Sequence, residues 1–275
     1  VRVVPSGCLL ITTGIDVQKD RWAIVSLGWG RRGTVWVLDY NELPGDPTIP
    51  DEWLKLEAAV GETYRTSKGV TVRAELAAVD SGYLQDDCIH FVRPRQKRGY
   101  FALKGSGLVG SPPITRASRI DYTWRGQQIK SGAEQWQVGV YALKEWLFTR
   151  LTADRAKLPE DRLIRFPSGL NESFYSQITA EIFDPVRRRF VKIRPRNEAL
   201  DTICYAVAAA MHPLIRVQTW RELKWNQRAE IWEPGEAADY VEPPPAEEPT
   251  AVEFLRRQRP LTVPRRGGWA TNWRP

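Results

Sequence analysis

The sequence predicts an α/β fold in which a mixed β-sheet is flanked by helices. Three runs of β-forming residues, Leu9–Val17, Trp22–Trp29 and Thr34–Tyr40, follow one another with only short polar or glycine-containing turns between them. This spacing favours an antiparallel meander. After the meander, stretches with helical spacing alternate with short apolar strands. That alternation is typical of proteins in which helices cover the faces of a sheet.

The rest of the chain divides into elements by the period of its apolar residues and by its turn residues. In chain order the predicted elements are a helix within Pro50–Thr66, a strand at Arg73–Val79, a helix at Gln85–Arg93, a strand at Gly99–Lys104, a helix at Gln137–Leu151, a strand at Arg162–Phe166, a helix at Glu172–Thr179 capped by Asn171, a hairpin at Glu181–Arg194 and a helix to Met211 with Asn197 as its N-cap. Gly105–Ser131 has little pattern and is predicted to be a long loop or an irregular hairpin.

The composition predicts one folded domain, residues 1–232, followed by a tail. A chain of 275 residues with 42% hydrophobic content can bury one sizeable core. From residue 233 to residue 275 the chain is first acidic and proline-rich, including Pro243–Pro245, and then basic without periodicity. Such composition predicts a disordered tail. Because the sequence begins with Val1, we expect it to be a piece of a longer protein.

The net charge and the numbers of cysteine and histidine residues limit the classes of function that the chain can have. The formal net charge of +7 and the pI of about 9.4 favour a polyanionic partner, nucleic acid first. Three cysteines without a CxxC pair and only two histidines argue against a zinc cluster and against Ser-His-Asp catalysis. No apolar run reaches the roughly 18 residues of a membrane span, so no membrane partner is expected.

Three aspartates stand where a folded chain would bring them together. Asp16 and Asp80 lie at the ends of apolar runs that predict buried strands, and Asp201 lies in the first turn of an almost wholly apolar helix. A buried carboxylate needs a hydrogen-bonding partner, a counter-charge or a metal ion. Oxygen ligands suit Mg²⁺ or Mn²⁺, and two such ions can drive phosphodiester hydrolysis. We therefore predict metal-dependent cleavage of nucleic acid, with Asp16 bridging two ions and Asp80 and Asp201 holding one each.

Three further residues are candidates for supporting this site. Glu198, one turn before Asp201, is either a fourth metal ligand or a favourable charge near a helix N-terminus. Lys104, at the end of a predicted strand, either contacts a phosphate or orients the attacking water, or is simply solvated. Glu181 is a weaker candidate.

Basic side chains supply candidate contacts to DNA phosphates. They are Arg116, Arg119 and Arg125 in the weakly patterned stretch, and Arg187, Arg188 and Arg189 in the predicted hairpin. Such contacts bind with little sequence selectivity and weaken with salt. The alternative for each is a solvated basic face.

Several short motifs in order carry a family resemblance. GIDVQKDRW, GWG, a strand ending in VDSG, FALKG and NEALDTICYA lie within roughly Leu9 to Met211. Together they resemble the nuclease domain of tailed-phage terminase large subunits, the lambda GpA-like group. The resemblance implies an RNase H-like fold whose three-acid metal site, here Asp16, Asp80 and Asp201, cuts concatemeric viral DNA during packaging. No GxxxxGK[ST] phosphate loop occurs, so no ATPase motor is predicted in this chain.

The resemblance also implies partners and a location. They are double-stranded DNA, a terminase ATPase domain absent from this chain, the small terminase subunit and the portal, in the host cytoplasm rather than in the mature virion. Two alternatives remain open from the residues alone. One is another RNase H-like nuclease, such as a junction resolvase, and the other is a catalytically silent module that docks DNA or the portal. An actin-like ATPase is disfavoured because glycine-rich phosphate-binding turns are missing.

Overall fold

A computed structural model of the chain describes residues 2–153 and 162–235. The predicted tail from residue 236 onward lies outside the described residues, so its disorder stays a prediction. Within the described ranges, no helix combines the length and apolar character of a membrane-crossing segment.

The predicted elements occur in the predicted order, but the helix predicted within Pro50–Thr66 covers only Trp53–Val60. The short strands at Arg2–Val3, Tyr64–Arg65 and Thr71–Val72 and the helix at Glu222–Trp232 were not predicted from the sequence. The strands are β1 (Arg2–Val3), β2 (Leu10–Val17), β3 (Arg21–Trp29), β4 (Val35–Pro44), β5 (Tyr64–Arg65), β6 (Thr71–Val72), β7 (Leu76–Asp80), β8 (Tyr100–Ser106), β9 (Ala117–Trp124), β10 (Gln127–Gly139), β11 (Ile164–Arg165), β12 (Glu181–Asp184) and β13 (Arg189–Lys192). The helices are α1 (Trp53–Val60), α2 (Gln85–Val92), α3 (Val140–Ala153), α4 (Glu172–Ile178), α5 (Glu198–Met211) and α6 (Glu222–Trp232), with short 3₁₀ turns at Arg31–Gly33, Pro50–Glu52, Arg93–Arg98 and Val217–Thr219.

One mixed sheet organises the domain. Its strand order is β11-β4-β3-β2-β7-β8-β10-β9. Strands β2, β3 and β4 form the predicted antiparallel meander, while β7 pairs parallel to β2 on its other side and β8 pairs parallel to β7. Three antiparallel strands followed by two parallel strands beside the first one is the core arrangement of the RNase H-like fold. The predicted fold class, a mixed sheet flanked by helices, is confirmed.

The weakly patterned stretch is a hairpin, the second of the two alternatives. Strands β9 and β10 pair antiparallel with a register shift between Ile129 and Ala133. Strand β10 then continues in parallel beside β8, from Gln135 opposite Ala102 to Gly139 opposite Ser106. Helix α3 therefore begins at Val140 rather than at Gln137, because the ladder with β8 outweighs the local helical spacing.

Helix α5 packs tightly across β2. All residues of β2 are buried, and in α5 every residue except Asp201 and Met211 is buried. The Oγ1 of Thr12 donates a 2.8 Å hydrogen bond to the carbonyl of Ala206. A Cβ on Gly14 would lie 2.0 Å from the carbonyl oxygen of Thr202 and 2.6 Å from the backbone nitrogen of Ala206. Only glycine allows this approach, since both obstructing atoms are backbone.

We expect Gly14→Ala to lower the free energy of unfolding by about 1–3 kcal/mol, because the methyl group forces α5 away from the sheet. Urea unfolding followed by circular dichroism measures the loss. Gly107→Ala is the matched control, since a Cβ there meets nothing within 4 Å. Equal stability of the two variants would contradict this account of the packing.

Candidate functional site

The three predicted aspartates lie at one end of the sheet. Asp16 is next to the last residue of β2 and Asp80 is the last residue of β7, and these parallel neighbours pair Ile15 with Val79 just before them. Asp201 lies in the first turn of α5, the helix that crosses β2. The fold therefore brings together two strand ends and one helix start, as the sequence predicts.

Asp16 is the most buried of the three. Its exposed fraction is 5%. Burial first, and then the charges of Asp201 and Asp80, raise the pKa of Asp16 to about 8. The Nε2 of Gln18 donates a 2.6 Å hydrogen bond to its Oδ2 and opposes this rise. The carboxylate of Asp16 thus feels both other aspartates.

Asp80 is held by donors on two elements. The backbone nitrogen of Gly82 donates to Oδ1 at 3.0 Å, and the hydroxyl of Tyr205 donates to Oδ2 at 3.3 Å. Burial raises the pKa of Asp80 to about 6, although these two hydrogen bonds favour the charged form. Tyr205 is on α5, so the same helix that carries Asp201 also orients Asp80.

Asp201 has a partner for each oxygen. The ammonium of Lys144 lies 3.2 Å from Oδ1, and the Nδ2 of Asn197 donates to Oδ2 at 2.8 Å. Burial raises the pKa of Asp201, and the charge of Lys144 opposes that rise. Lys144 therefore supplies the third carboxylate with a positive charge in direct contact.

The chemistry of these groups fits a hard divalent cation. The donors are carboxylate oxygens, and a bound cation would offset both the burial and the repulsion by Asp201 and Asp80 that raise the pKa of Asp16. Within residues 2–153 and 162–235, however, no three His, Cys, Asp or Glu side chains already form a ready coordination group. Each of the three aspartates instead contacts hydrogen-bond donors of the protein. An ion would have to draw the carboxylates from those donors.

Glu198 forms ion pairs with two arginines. Its Oε1 accepts from the Nη2 of Arg21 at 2.9 Å and its Oε2 lies 3.1 Å from the Nε of Arg196. Glu198 is only 6% exposed. Ligation of a metal by Glu198 therefore requires release of at least one arginine.

Lys104 lies beside the acids and is open to solvent. It is exposed on β8, one residue after Leu103, which pairs with Asp80. Its charge acts to lower the pKa of Asp80, although burial outweighs it.

The predicted DNA-contacting arginines divide between two hairpins. Arg116, Arg119 and Arg125 belong to the β9–β10 hairpin and its approach. Arg187 and Arg188 lie in the turn of the β12–β13 hairpin, and Arg189 is the first residue of β13. All six are exposed. Arg125 and Arg188 adopt positive φ angles of 49° and 51° at the two turns.

Sequence reasoning missed Lys144, and it gave Glu181 and Asn197 too little weight. Lys144 is 5% exposed, and its ammonium lies 2.7 Å from both carboxylate oxygens of Glu181. The signal was present, because position 144 falls on the apolar stripe of α3 between Val140 and Leu147. A lysine on a buried stripe implies a buried acidic partner.

Comparison with known proteins identifies relatives. Residues 1–225 match the family model described as terminase large subunit gpA, endonuclease domain. The terminase large subunit of Enterobacteria phage P21 is 27% identical over 232 residues, covering 79% of this chain and 34% of that protein. The terminase large subunit of Escherichia phage lambda is 26% identical over 240 residues, with the same coverages of 79% and 34%. The chain thus spans about a third of the length of these relatives.

A solved structure is also similar. It is the nuclease domain of the g2p large terminase from bacteriophage SPP1 with bound Mn, with a TM-score of 0.36 and 11% identity over 72% of this chain and 84% of that one. At this level no residue is carried over. The family match, in contrast, extends over most of the chain, and we conclude that this chain belongs to the gpA family of terminase large subunits, with residues 1–225 as the endonuclease domain.

Proposed function

We propose that this domain is a metal-dependent endonuclease that cuts concatemeric double-stranded viral DNA during genome packaging. Two Mg²⁺ or Mn²⁺ ions would be held by Asp16, Asp80 and Asp201. The observation that carries the proposal is the convergence of these carboxylates at one end of the sheet, where burial and then the charges of Asp201 and Asp80 raise the pKa of Asp16 to about 8. A protein maintains such repulsion at a functional site more often than elsewhere.

Each residue of the proposed site has a role that follows from its position. Bound ions would activate a water and stabilise the leaving oxygen of a phosphodiester. Asp16, which feels the charges of both other aspartates, would be the ligand that the two ions share. Gly82 and Tyr205 hold Asp80 in place for one ion. Asp201 serves the other ion, and the exposed ammonium of Lys104 binds a phosphate of the substrate.

Glu198 supports the site from outside. Its two arginine contacts connect the start of α5 to β3 through Arg21 and to the preceding loop through Arg196. These ion pairs support a role in fixing α5 more than a role as fourth ligand.

DNA would be held through its backbone by the two arginine-bearing hairpins. Phosphate contacts of this kind are weakly sequence-selective. Membership of the gpA family supports the remaining partners, namely the terminase ATPase domain, the small subunit and the portal, and action in the host cytoplasm. These partners belong to the whole protein, of whose relatives this chain spans about a third.

The central test is plasmid cleavage with Mg²⁺, Mn²⁺ or EDTA. We expect nicking only with metal, and a loss of about a hundredfold or more for Asp16→Asn and Asp80→Asn, equivalent to about 2.7 kcal/mol of transition-state stabilisation. The exposed Asp51 provides the control variant Asp51→Asn. DNA binding without cutting under every metal condition would instead support the docking alternative.

The pH dependence of stability gives an independent check. In metal-free protein the raised pKa values of Asp16, about 8, and Asp80, about 6, mean that the folded state holds protons more tightly than the unfolded state. Stability should therefore fall, on the order of a few kcal/mol, as pH rises from about 4 to 8. Melting temperatures in EDTA should follow this slope. Saturating Mn²⁺ or Asp16→Asn should flatten it, and an equal slope in all three samples would refute the assigned coupling.

The hairpin turn of β12–β13 should contribute to DNA affinity. We expect simultaneous change of Arg187, Arg188 and Arg189 to Glu to weaken binding and to reduce the slope of log affinity against log salt, by about 0.9 for each phosphate that the turn no longer neutralises. Fluorescence anisotropy at several salt concentrations measures both. The matched control changes Arg65, Lys68 and Arg73 to Glu, which alters the charge equally. Equal affinity of wild type and the Arg187–Arg189 variant would remove that turn from the interface.

A further inference from the structure

Asp201 and three side chains around it form a closed ring of contacts. Lys144 contacts Oε1 and Oε2 of Glu181 at 2.7 Å and Oδ1 of Asp201 at 3.2 Å. Asn197 donates to Oε1 of Glu181 and to Oδ2 of Asp201, both at 2.8 Å. Both donors thus bridge the same two carboxylates.

The ring unites three parts of the fold. Lys144 comes from α3, Glu181 is the first residue of β12, and Asp201 and Asn197 are at the start of α5. Lys144 and Glu181 are 5% and 7% exposed. A buried ammonium needs close anionic partners, and here two carboxylates share it, so the ring carries a net charge of −1.

The side chain of Asn197 does not cap helix α5. It occupies the N-cap position of α5, yet its side chain makes no capping hydrogen bond. N-cap asparagines usually accept from the second or third helical N–H, which is worth about 1 kcal/mol. The Nδ2 of Asn197 donates to both Glu181 and Asp201, which orients the amide toward those two carboxylates.

The ammonium of Lys144 contacts two different carboxylates. It has three N–H donors, and the two oxygens of Glu181 accept two of them. The additional contact with Asp201 places a fixed positive charge against one of the carboxylates assigned to the metal site. A divalent ion that binds Asp201 must therefore share that carboxylate with the ammonium of Lys144.

We propose that Lys144, fixed by Glu181, is a positioning residue that orients the Asp201 carboxylate and serves as its counter-cation until a divalent ion binds. The inference rests on the proposed function, because it assumes that Asp201 is a metal ligand. Lys144 sets the metal affinity of the site by competing for Asp201, and it aids cleavage by holding that carboxylate in one orientation.

The test is Mn²⁺ binding by isothermal titration calorimetry on Lys144→Met, with melting temperatures in EDTA and in Mn²⁺. We expect a Kd for Mn²⁺ about tenfold lower than that of the wild type, since the competing charge is gone. The variant should melt lower in EDTA, gain more from Mn²⁺, and cleave DNA more slowly at saturating metal. Lys144→Arg keeps the charge and should retain the wild-type Kd.

Two further variants make the test decisive. Glu181→Gln leaves the ammonium with Asp201 as its sole carboxylate in the ring, so Mn²⁺ should bind more weakly than in the wild type. The double variant Lys144→Met with Glu181→Gln removes the charges of Lys144 and Glu181 together, so it should fold even if Lys144→Met alone does not. It should also bind Mn²⁺ more tightly than the wild type. Lys97→Met, at an exposed lysine, is the matched control.

The outcomes separate the two proposals. No Mn²⁺ binding to the wild type would overturn the proposed function itself. Metal binding by the wild type, with an unchanged Kd in Lys144→Met and in the double variant, would overturn the role of Lys144 and leave the nuclease proposal standing. An equal loss of melting temperature with and without Mn²⁺ would likewise reduce Lys144 to a structural ion pair.

Discussion

The close packing of α5 on β2 is the contact on which the rest of the site depends. Gly14 lets the helix backbone approach the strand at Thr202 and Ala206, and the hydrogen bond from Thr12 fixes the helix along the strand. This position carries Asp201 to the strand ends and brings Tyr205 to Asp80. A looser helix would leave Asp16 with fewer charges near it and a smaller shift of its pKa.

Each aspartate has its own means of tolerating burial. Asp16 has the amide of Gln18, Asp80 has a backbone N–H and a phenol, and Asp201 has an ammonium and an amide. Asp16 and Asp80 have neutral donors, whereas Asp201 also has the charged ammonium of Lys144. The charged partner, Lys144, is itself held by a second acid, Glu181, so Asp201 belongs to a network of contacts, whereas the donor to Asp16 is Gln18, two residues along the chain.

The parts that follow from local pattern could be predicted from the sequence. The meander and the two strand-end aspartates are signalled by apolar runs, and Asp201 by an apolar helix with an acidic first turn. The parts that depend on distant partners could not. The position of Asn197 at the helix start was correct, but nothing local indicates that its side chain contacts Glu181. The apolar spacing of α3 indicates that Lys144 is buried, but it does not show which acids pair with it. The start of α3 was misplaced because strand β8, far earlier in the chain, extends β10.

Asp16 belongs to the first long strand and Asp201 to a helix that follows nearly every other element of the domain. During synthesis, the early strands leave the ribosome long before α5 exists, and such distant contacts form late and slowly in folding. A nascent or partly unfolded chain therefore has separate, ordinary aspartates. The proposed metal site therefore exists only once the last helix of the site has folded onto the first long strand.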